Sequence, residues 1–377
     1  MYLSILTTIA TLWGKAWPIL VAVLFFGLVI MVHEVGHFSF AKLFRVKVDK
    51  FAMGMGPTLL KFGKKETEYS LRLFPIGGYV LMGEDEEASD DPRAFPNKPL
   101  WQRMLIIAAG AIMNLILGWL IVMLLLGVAQ KPSQPGQPKL IGTQEIAAFH
   151  ESEDGTPAKS QSTGLAVGDT LLKINGKRVW SQTDISFLMS RSADGVFDMQ
   201  VKRDGKKINL TGVTFETMKA QEGKNVIIYD FIIRGVRPSL SNVPRYAFQE
   251  AASMSRIVWI SLFDLLTGQY GLSDLSGPIG AVGYIAEAAT QTTPSGERDY
   301  SFLLTIMALM TINIGIFNLL PVPAMDGGRL LFMLIELIFR RRVPAKYEGW
   351  IHAVGLVLLL IFMAVVSFSD IVNLIKR

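Results

Sequence analysis

His33-Glu34-Val35-Gly36-His37 is the stretch of this chain best equipped for chemistry. On a helix, positions 33 and 37 lie one turn apart and share a face. Two imidazoles at that spacing can hold one Zn²⁺ ion, and Glu34 then sits where it can take a proton from water. The chain has 4 histidines, and this motif uses two of them. Zinc needs a third protein ligand and, for catalysis, an open position. With no cysteine in the chain, that ligand is a histidine or a carboxylate. His150 and His352 are set aside on topology, one lying in the long outer segment and the other in the last apolar run. Asp326 is the better candidate. It ends the run Asn318-Leu-Leu-Pro-Val-Pro-Ala-Met-Asp and is followed by Gly327-Gly328. Prolines and glycines so close together break a helix. Broken backbone at membrane depth needs protein or a water-filled cavity around it, and an aspartate there calls for a cation.

The elements that must position these groups are apolar. Hydrophobic residues make up 50% of the chain and charged residues 18%, with a mean hydropathy of +0.37. Soluble domains carry about 25% charged residues. The excess is concentrated in four runs, Ala16–Val32, Met104–Ala129, Tyr300–Met325 and Trp350–Ser369. Each approaches or exceeds the roughly 20 residues of a spanning helix. A polytopic α-helical membrane protein with four transmembrane helices is the expected class. The opening Met-Tyr-Leu-Ser has no basic segment and no small-residue cleavage site after it, so it reads as a retained anchor. Lys and Arg crowd the segment between runs 1 and 2 and the Arg340-Arg341-Arg342 stretch between runs 3 and 4. The positive-inside rule puts both in the cytoplasm and residues 130–299 outside. A net charge of +5 without a basic, aromatic-interleaved stripe suits lipid headgroups and argues against nucleic acid.

Between the runs, residues 45–103 hold three short strand-like stretches, Leu59–Phe62, Tyr69–Phe74 and Tyr79–Met82, with turns at Gly63-Lys64-Lys65 and Pro75-Ile-Gly-Gly. An acidic run at Glu84–Glu87, Asp90 and Asp91 reads as a solvated loop. Residues 131–138 are a Pro-rich linker. Residues 139–236 read as a small β-rich module, with hairpin turns at Asn175-Gly176 and Asp204-Gly205 and a short helix at Thr183–Ser190. Residues 237–299 carry amphipathic helices too interrupted to span, suited to the membrane surface.

The Gly164-Leu-x-x-Gly168-Asp169 and Ile174-Asn175-Gly176 pattern resembles a bacterial PDZ domain, which implies peptide capture at a sheet edge. The whole arrangement resembles the site-2 protease family, and within it the bacterial regulator-of-sigma-E protease group. It rests on His-Glu-x-x-His in the first run, the Asn-x-x-Pro-x-Pro-x-x-Asp-Gly-Gly motif in the third, Phe51-x-Met-Gly-x-Gly-Pro, Pro75-x-Gly-Gly-Tyr79 and Gly110-x-x-x-Asn114. Met325 stands where leucine is commoner, and one PDZ-like module stands where enterobacterial members have two. The resemblance implies an intramembrane zinc metalloendopeptidase of the bacterial inner membrane, with its site near the cytoplasmic side and its PDZ domain outside. It implies single-span substrates such as anti-sigma factors and remnant signal peptides. It also implies a membrane-associated β-hairpin region within residues 59–82 that receives the unwound substrate as an added strand. Asn318 would then bind the substrate backbone.

Overall fold

The computed structural model describes residues 2–63, 66–82, 90–129, 138–150, 155–192, 194–219, 225–268, 276–292, 296 and 298–376. Lys64 and Lys65 of the expected turn, most of the acidic run and nearly all of the Pro-rich linker lie outside these residues. The chain divides into two units, Met1–Ile121 with Phe263–Arg377, and Val122–Leu262.

The first unit is helical. Helix α1 (Tyr2–Leu43) continues well past the first apolar run, so His33 and His37 lie within the helix. Helix α2 (Leu100–Leu124) passes into a wider π-type turn at Leu125–Ala129. Helix α7 (Tyr300–Leu319) stops one residue before Leu320-Pro321, and α8 (Asp326–Phe339) starts at the aspartate itself. The third run is thus a helix plus a loop. Helix α9 (Ala345–Lys376) is the last long helix. Among the described residues, stretches within α1, α2, α7 and α9 are the four helices long and apolar enough to cross a membrane.

Glycines let these helices approach closely. A Cβ on Gly36 would lie 2.5 Å from the Ala109 carbonyl oxygen of α2, and one on Gly315 would lie 3.2 Å from that of Ala111. At the far end of α9, the buried Asp370 carboxylate accepts from the amides of Gly277 (3.2 Å) and Gly280 (2.8 Å). It thereby caps helix α6 (Pro278–Thr290) from another helix. Near the site, Glu336 of α8 takes Arg103 of α2 at 2.6 Å and Arg342 at 3.2 Å, joining α8 to the start of α2.

Strands β1 (Lys50–Phe62) and β2 (Glu68–Leu81) are long and bent, and they fold back on each other. Residues 50–53 run parallel to 68–71 and antiparallel to 78–81, while 58–62 run antiparallel to 69–72. The result is a four-ribbon sheet with 69–72 and 50–53 inside and 58–62 and 78–81 at its edges. The three strand-like stretches read from the sequence are all present, but they belong to two continuous strands.

The second unit holds a sheet in the order β10-β3-β4-β6-β7, with β5 beside β4. The strands are β3 (Ile141–Phe149), β4 (Thr170–Ile174), β5 (Lys177–Arg178), β6 (Val196–Arg203), β7 (Lys206–Thr214) and β10 (Phe231–Val236). A separate hairpin pairs β8 (Glu216–Lys219) with β9 (Asn225–Ile228). A one-turn helix α3 (Lys159–Ser162) and helix α4 (Gln182–Met189) complete the module. Asn175 and Gly176, at φ 47° and 76°, turn β4 into β5; Asp204 and Gly205, at 49° and 79°, turn β6 into β7. Positive φ at both central residues is the hairpin geometry that Asn-Gly and Asp-Gly favour.

The buried Asp169 of the Gly168-Asp169 pair is held by Arg203 through two contacts of 2.7 Å. Helix α5 (Val243–Leu266) is tied to this module. Its Arg256 stacks on Trp180 and pairs with the fully buried Asp184, and its Ser253 hydroxyl donates to Asp184 at 2.7 Å. Its Glu250 accepts from Thr183, and burial pushes the Glu250 carboxyl above its ordinary range against the pull of that bond.

Candidate active site and metal centre

His33, His37 and Asp326 converge. The two imidazole Nε2 atoms are 3.1 Å apart, and Asp326 Oδ2 lies 3.1 Å from one and 3.2 Å from the other. Position 326 is the first residue of α8, where the helix dipole favours a carboxylate. The turn before it is tight. A Cβ on Gly327 would lie 1.9 Å from the Leu320 carbonyl oxygen, and one on Gly328 2.6 Å from that of Val322. The two glycines after the aspartate therefore let the Pro-Val-Pro loop fold onto the first turn of α8.

The surroundings fit the imidazoles. His37 Nδ1 donates to the Ile106 carbonyl at 2.8 Å, which leaves Nε2 as a lone pair. Asn114 Nδ2 lies 3.5 Å from His33 Nδ1. A Cβ on Gly110 would sit 2.4 Å from His37 Nε2 and 2.7 Å from His33 Cε1, so only glycine leaves room for both rings. The Gly110-x-x-x-Asn114 spacing puts this gap and the Asn114 amide one turn apart on α2.

These atoms make sense around a cation. With Nδ1 of His37 committed as a donor, His37 Nε2 and Asp326 Oδ2 face each other as two acceptors 3.2 Å apart. Asp326 Oδ2 is buried and has no other hydrogen-bond partner. Bare acceptors held together in a low-dielectric site are costly. A two-nitrogen, one-oxygen set with a further face open to a cavity suits zinc in a catalytic setting. Among the described residues, this is the one His/Asp/Glu cluster with three ligand atoms within 4.8 Å of one another.

The cavity beside the cluster has a volume of about 630 Å³ and is lined by His33, Glu34 and His37, by Gly78–Met82 at the edge of the small sheet, and by Ala324–Asp326. A Cβ on Gly78 would come within 2.8 Å of Glu34 Cγ, so this glycine lets the strand edge lie against the glutamate. Arg329 and His352 also line the cavity. Both enter where sequence reasoning placed neither. His352, set aside as a ligand, stands outside the three-residue cluster; from the start of α9 it lines the cavity and its Nδ1 meets the loop before Asp326. Its proximity could have been read from its position near the start of the last run, on the same side as Asp326. Asn318, half-buried in the last turn of α7, is not among the cavity-lining residues, and His150 follows β3 in the other unit.

Comparison with known proteins agrees with this site. The description "Peptidase family M50" matches residues 21–362. A chain from Clostridium acetobutylicum, provisionally named a zinc metalloprotease, is 35% identical over 94% of this chain and 97% of its own. The "Zinc metalloprotease RasP" of Bacillus licheniformis is 30% identical over 93% of this chain and 98% of its own. The "Regulator of sigma-W protease RasP" of Bacillus subtilis is 28% identical over 93% and 97%. With a His-His-Asp cluster able to hold the metal and four helices able to cross a membrane, the chain belongs to peptidase family M50, the site-2 type of zinc metalloprotease.

Proposed function

We propose that this protein is an intramembrane endopeptidase that hydrolyses peptide bonds of single-span membrane proteins. His33, His37 and Asp326 hold the zinc ion and Glu34 is the general base. The observation that carries this reading is the convergence of the three ligand atoms, two from the spanning-length α1 and one from the start of α8, at a cavity that also contains Glu34 and a strand edge. Zinc, when bound, polarises the scissile carbonyl and acidifies water. Glu34 takes the proton of the attacking water and delivers it to the departing amine, which balances the hydrolysis. Gly110 leaves room for the two imidazoles, and Asn114 can hold His33 in the ligating tautomer when its carbonyl oxygen, which has no other hydrogen-bond partner, faces His33 Nδ1–H.

A substrate helix has its amides bonded internally and must unwind before a bond can be attacked. Its freed N–H and C=O groups then need partners. The edge 78–81 supports this role. It pairs with 50–53 on one side and, among the described residues, with no strand on the other, and residues 78–82 line the cavity. Leu71, by contrast, is an inner-ribbon residue opposite both Met53 and Leu60. Asn318 supplies a further bond to the substrate backbone. Anti-sigma factors and remnant signal peptides are the proposed substrates, the first in keeping with the name of the Bacillus subtilis relative. The setting is the bacterial inner membrane, with the site toward the cytoplasm and residues 139–236 outside. That module is a PDZ domain that filters substrates by chain end or size. Support comes from its Gly-Leu-x-x-Gly-Asp turn and from β10, which ends the sheet with no strand on its outer side among the described residues.

Strand addition gives a pattern with a period of two, because alternate amides of an added strand face the edge. Synthetic single-span substrates carrying one N-methyl amide at successive positions near the cut are therefore expected to be cleaved more slowly at every second position. The expected fall is roughly two- to tenfold, the worth of one hydrogen bond. Replacing Gly, Pro or Asn near the cut by Leu is expected to slow cleavage further by strengthening the helix. Rates indifferent to both series would remove the strand-addition step.

A further inference from the structure

The α7–α8 loop has an unusual backbone. Ala324 has φ 73°, in the left-handed region that a side chain with a Cβ rarely adopts. It lies two residues before Asp326. Strain of this kind persists only where the surroundings over-determine it. Those surroundings come from α9. The Ala324 amide donates to His352 Nδ1 at 2.9 Å. One turn further along α9, a Cβ on Gly355 would lie 2.3 Å from Pro323 Cβ. His352 and Gly355 share a helix face, so this face both holds the Ala324 amide and seats Pro323 directly against the helix. His352 stands outside the metal cluster, and its contact is with the turn that delivers the aspartate.

We propose that His352 is a positioning residue for the metal-ligating turn: its Nδ1 holds the Ala324 amide and so fixes the approach of Asp326 to His33 and His37. The hydrogen bond requires Nδ1 to be unprotonated, which puts the ring proton of the neutral imidazole on Nε2. Without the acceptor, Ala324 has no partner to hold it at positive φ. The turn relaxes toward ordinary backbone and Asp326 is no longer delivered at one fixed distance. The effect is on how long the metal stays and how well the carboxylate is aimed, because all three ligands remain in the chain. The proposal rests on Asp326 being a metal ligand, which the Asp326→Ala variant tests separately.

The test separates an acceptor from a filler. The Oδ1 atom of asparagine can occupy the place of histidine Nδ1, whereas phenylalanine keeps a ring there and offers no acceptor. Full-length His352→Asn and His352→Phe proteins are loaded with excess zinc in detergent. Zinc release to a competing chelator and the kinetics of single-span substrate cleavage are then measured. His352→Leu is a second acceptor-free variant should the Phe ring disturb α9. Both acceptor-free proteins are expected to take up zinc fully but release it roughly tenfold faster, the low end for loss of an outer hydrogen-bond partner at a metal site. Their kcat is expected to fall with little change in KM, and His352→Asn is expected to behave as wild type. Zinc release within twofold of wild type in the Phe and Leu variants would overturn the proposal. So would an Asn variant as impaired as Phe, since that result assigns the effect to ring packing.

Discussion

Replacing Glu34 by glutamine is expected to leave fold and zinc content unchanged and to lower turnover by roughly 10²–10⁴-fold, the usual cost of losing a general base. Glutamine keeps the size of the side chain and its contact with Gly78, so the cavity is preserved. Its amide cannot accept a proton. Glu34 is not one of the three clustered ligands, and removing its charge leaves the donor set intact. Zinc is measured by metal analysis and turnover by single-turnover cleavage of a single-span substrate, which separates binding from chemistry. A zinc-loaded Glu34→Gln protein within tenfold of wild type would assign the base to another group.

Asp326→Ala is expected to have the largest effect on the metal. It removes the one ligand that comes from α8 and leaves two imidazoles on one face of α1. Affinity is expected to fall by more than the roughly 10–100-fold that an outer hydrogen-bond partner is worth. Zinc is then lost during purification, and with it activity. A second readout is thermal. A metal that binds only the folded protein raises its stability. Chelation is therefore expected to lower the melting temperature of the wild type and to leave that of Asp326→Ala unchanged. His33→Ala and His37→Ala are expected to follow Asp326→Ala. Full zinc occupancy in Asp326→Ala would remove the third ligand from this scheme.

The His33, His37 and Asp326 cluster was legible in the sequence because each member announces itself locally. His33 and His37 share a face by helix periodicity alone, and Asp326 stands at a break that prolines and glycines enforce. The hairpin turns at Asn175-Gly176 and Asp204-Gly205 were legible for the same reason, since their positive φ is a property of the residues themselves. What stayed hidden depends on contacts distant in the chain. Nothing local in residues 50–81 says which ribbon ends at the cavity, because the register couples one stretch to two partners in opposite directions. Gly110 was noticed as a motif position, but its reason, the space for two imidazoles on another helix, appears only once α1 and α2 are packed. The contact that His352 makes stayed hidden for a related cause. Assigning a residue to a span says nothing of its depth, and depth brings it to Ala324. The Asp184–Arg256 pair that ties α5 to the module was likewise invisible, since each residue alone reads as an ordinary surface charge.

The central claim is that water attacks a peptide bond inside a membrane span at the zinc site. It is tested most directly by mass spectrometry of the fragments formed when purified protein and a single-span substrate, reconstituted together in vesicles, react in water enriched in oxygen-18. Paired fragments that meet at one bond within the span are expected. One heavy oxygen should appear in the new carboxyl terminus, and no such fragments should form with zinc-loaded Glu34→Gln. Fragments ending only outside the span, a carboxyl terminus without heavy oxygen, or the same products from the Glu34→Gln protein would contradict it.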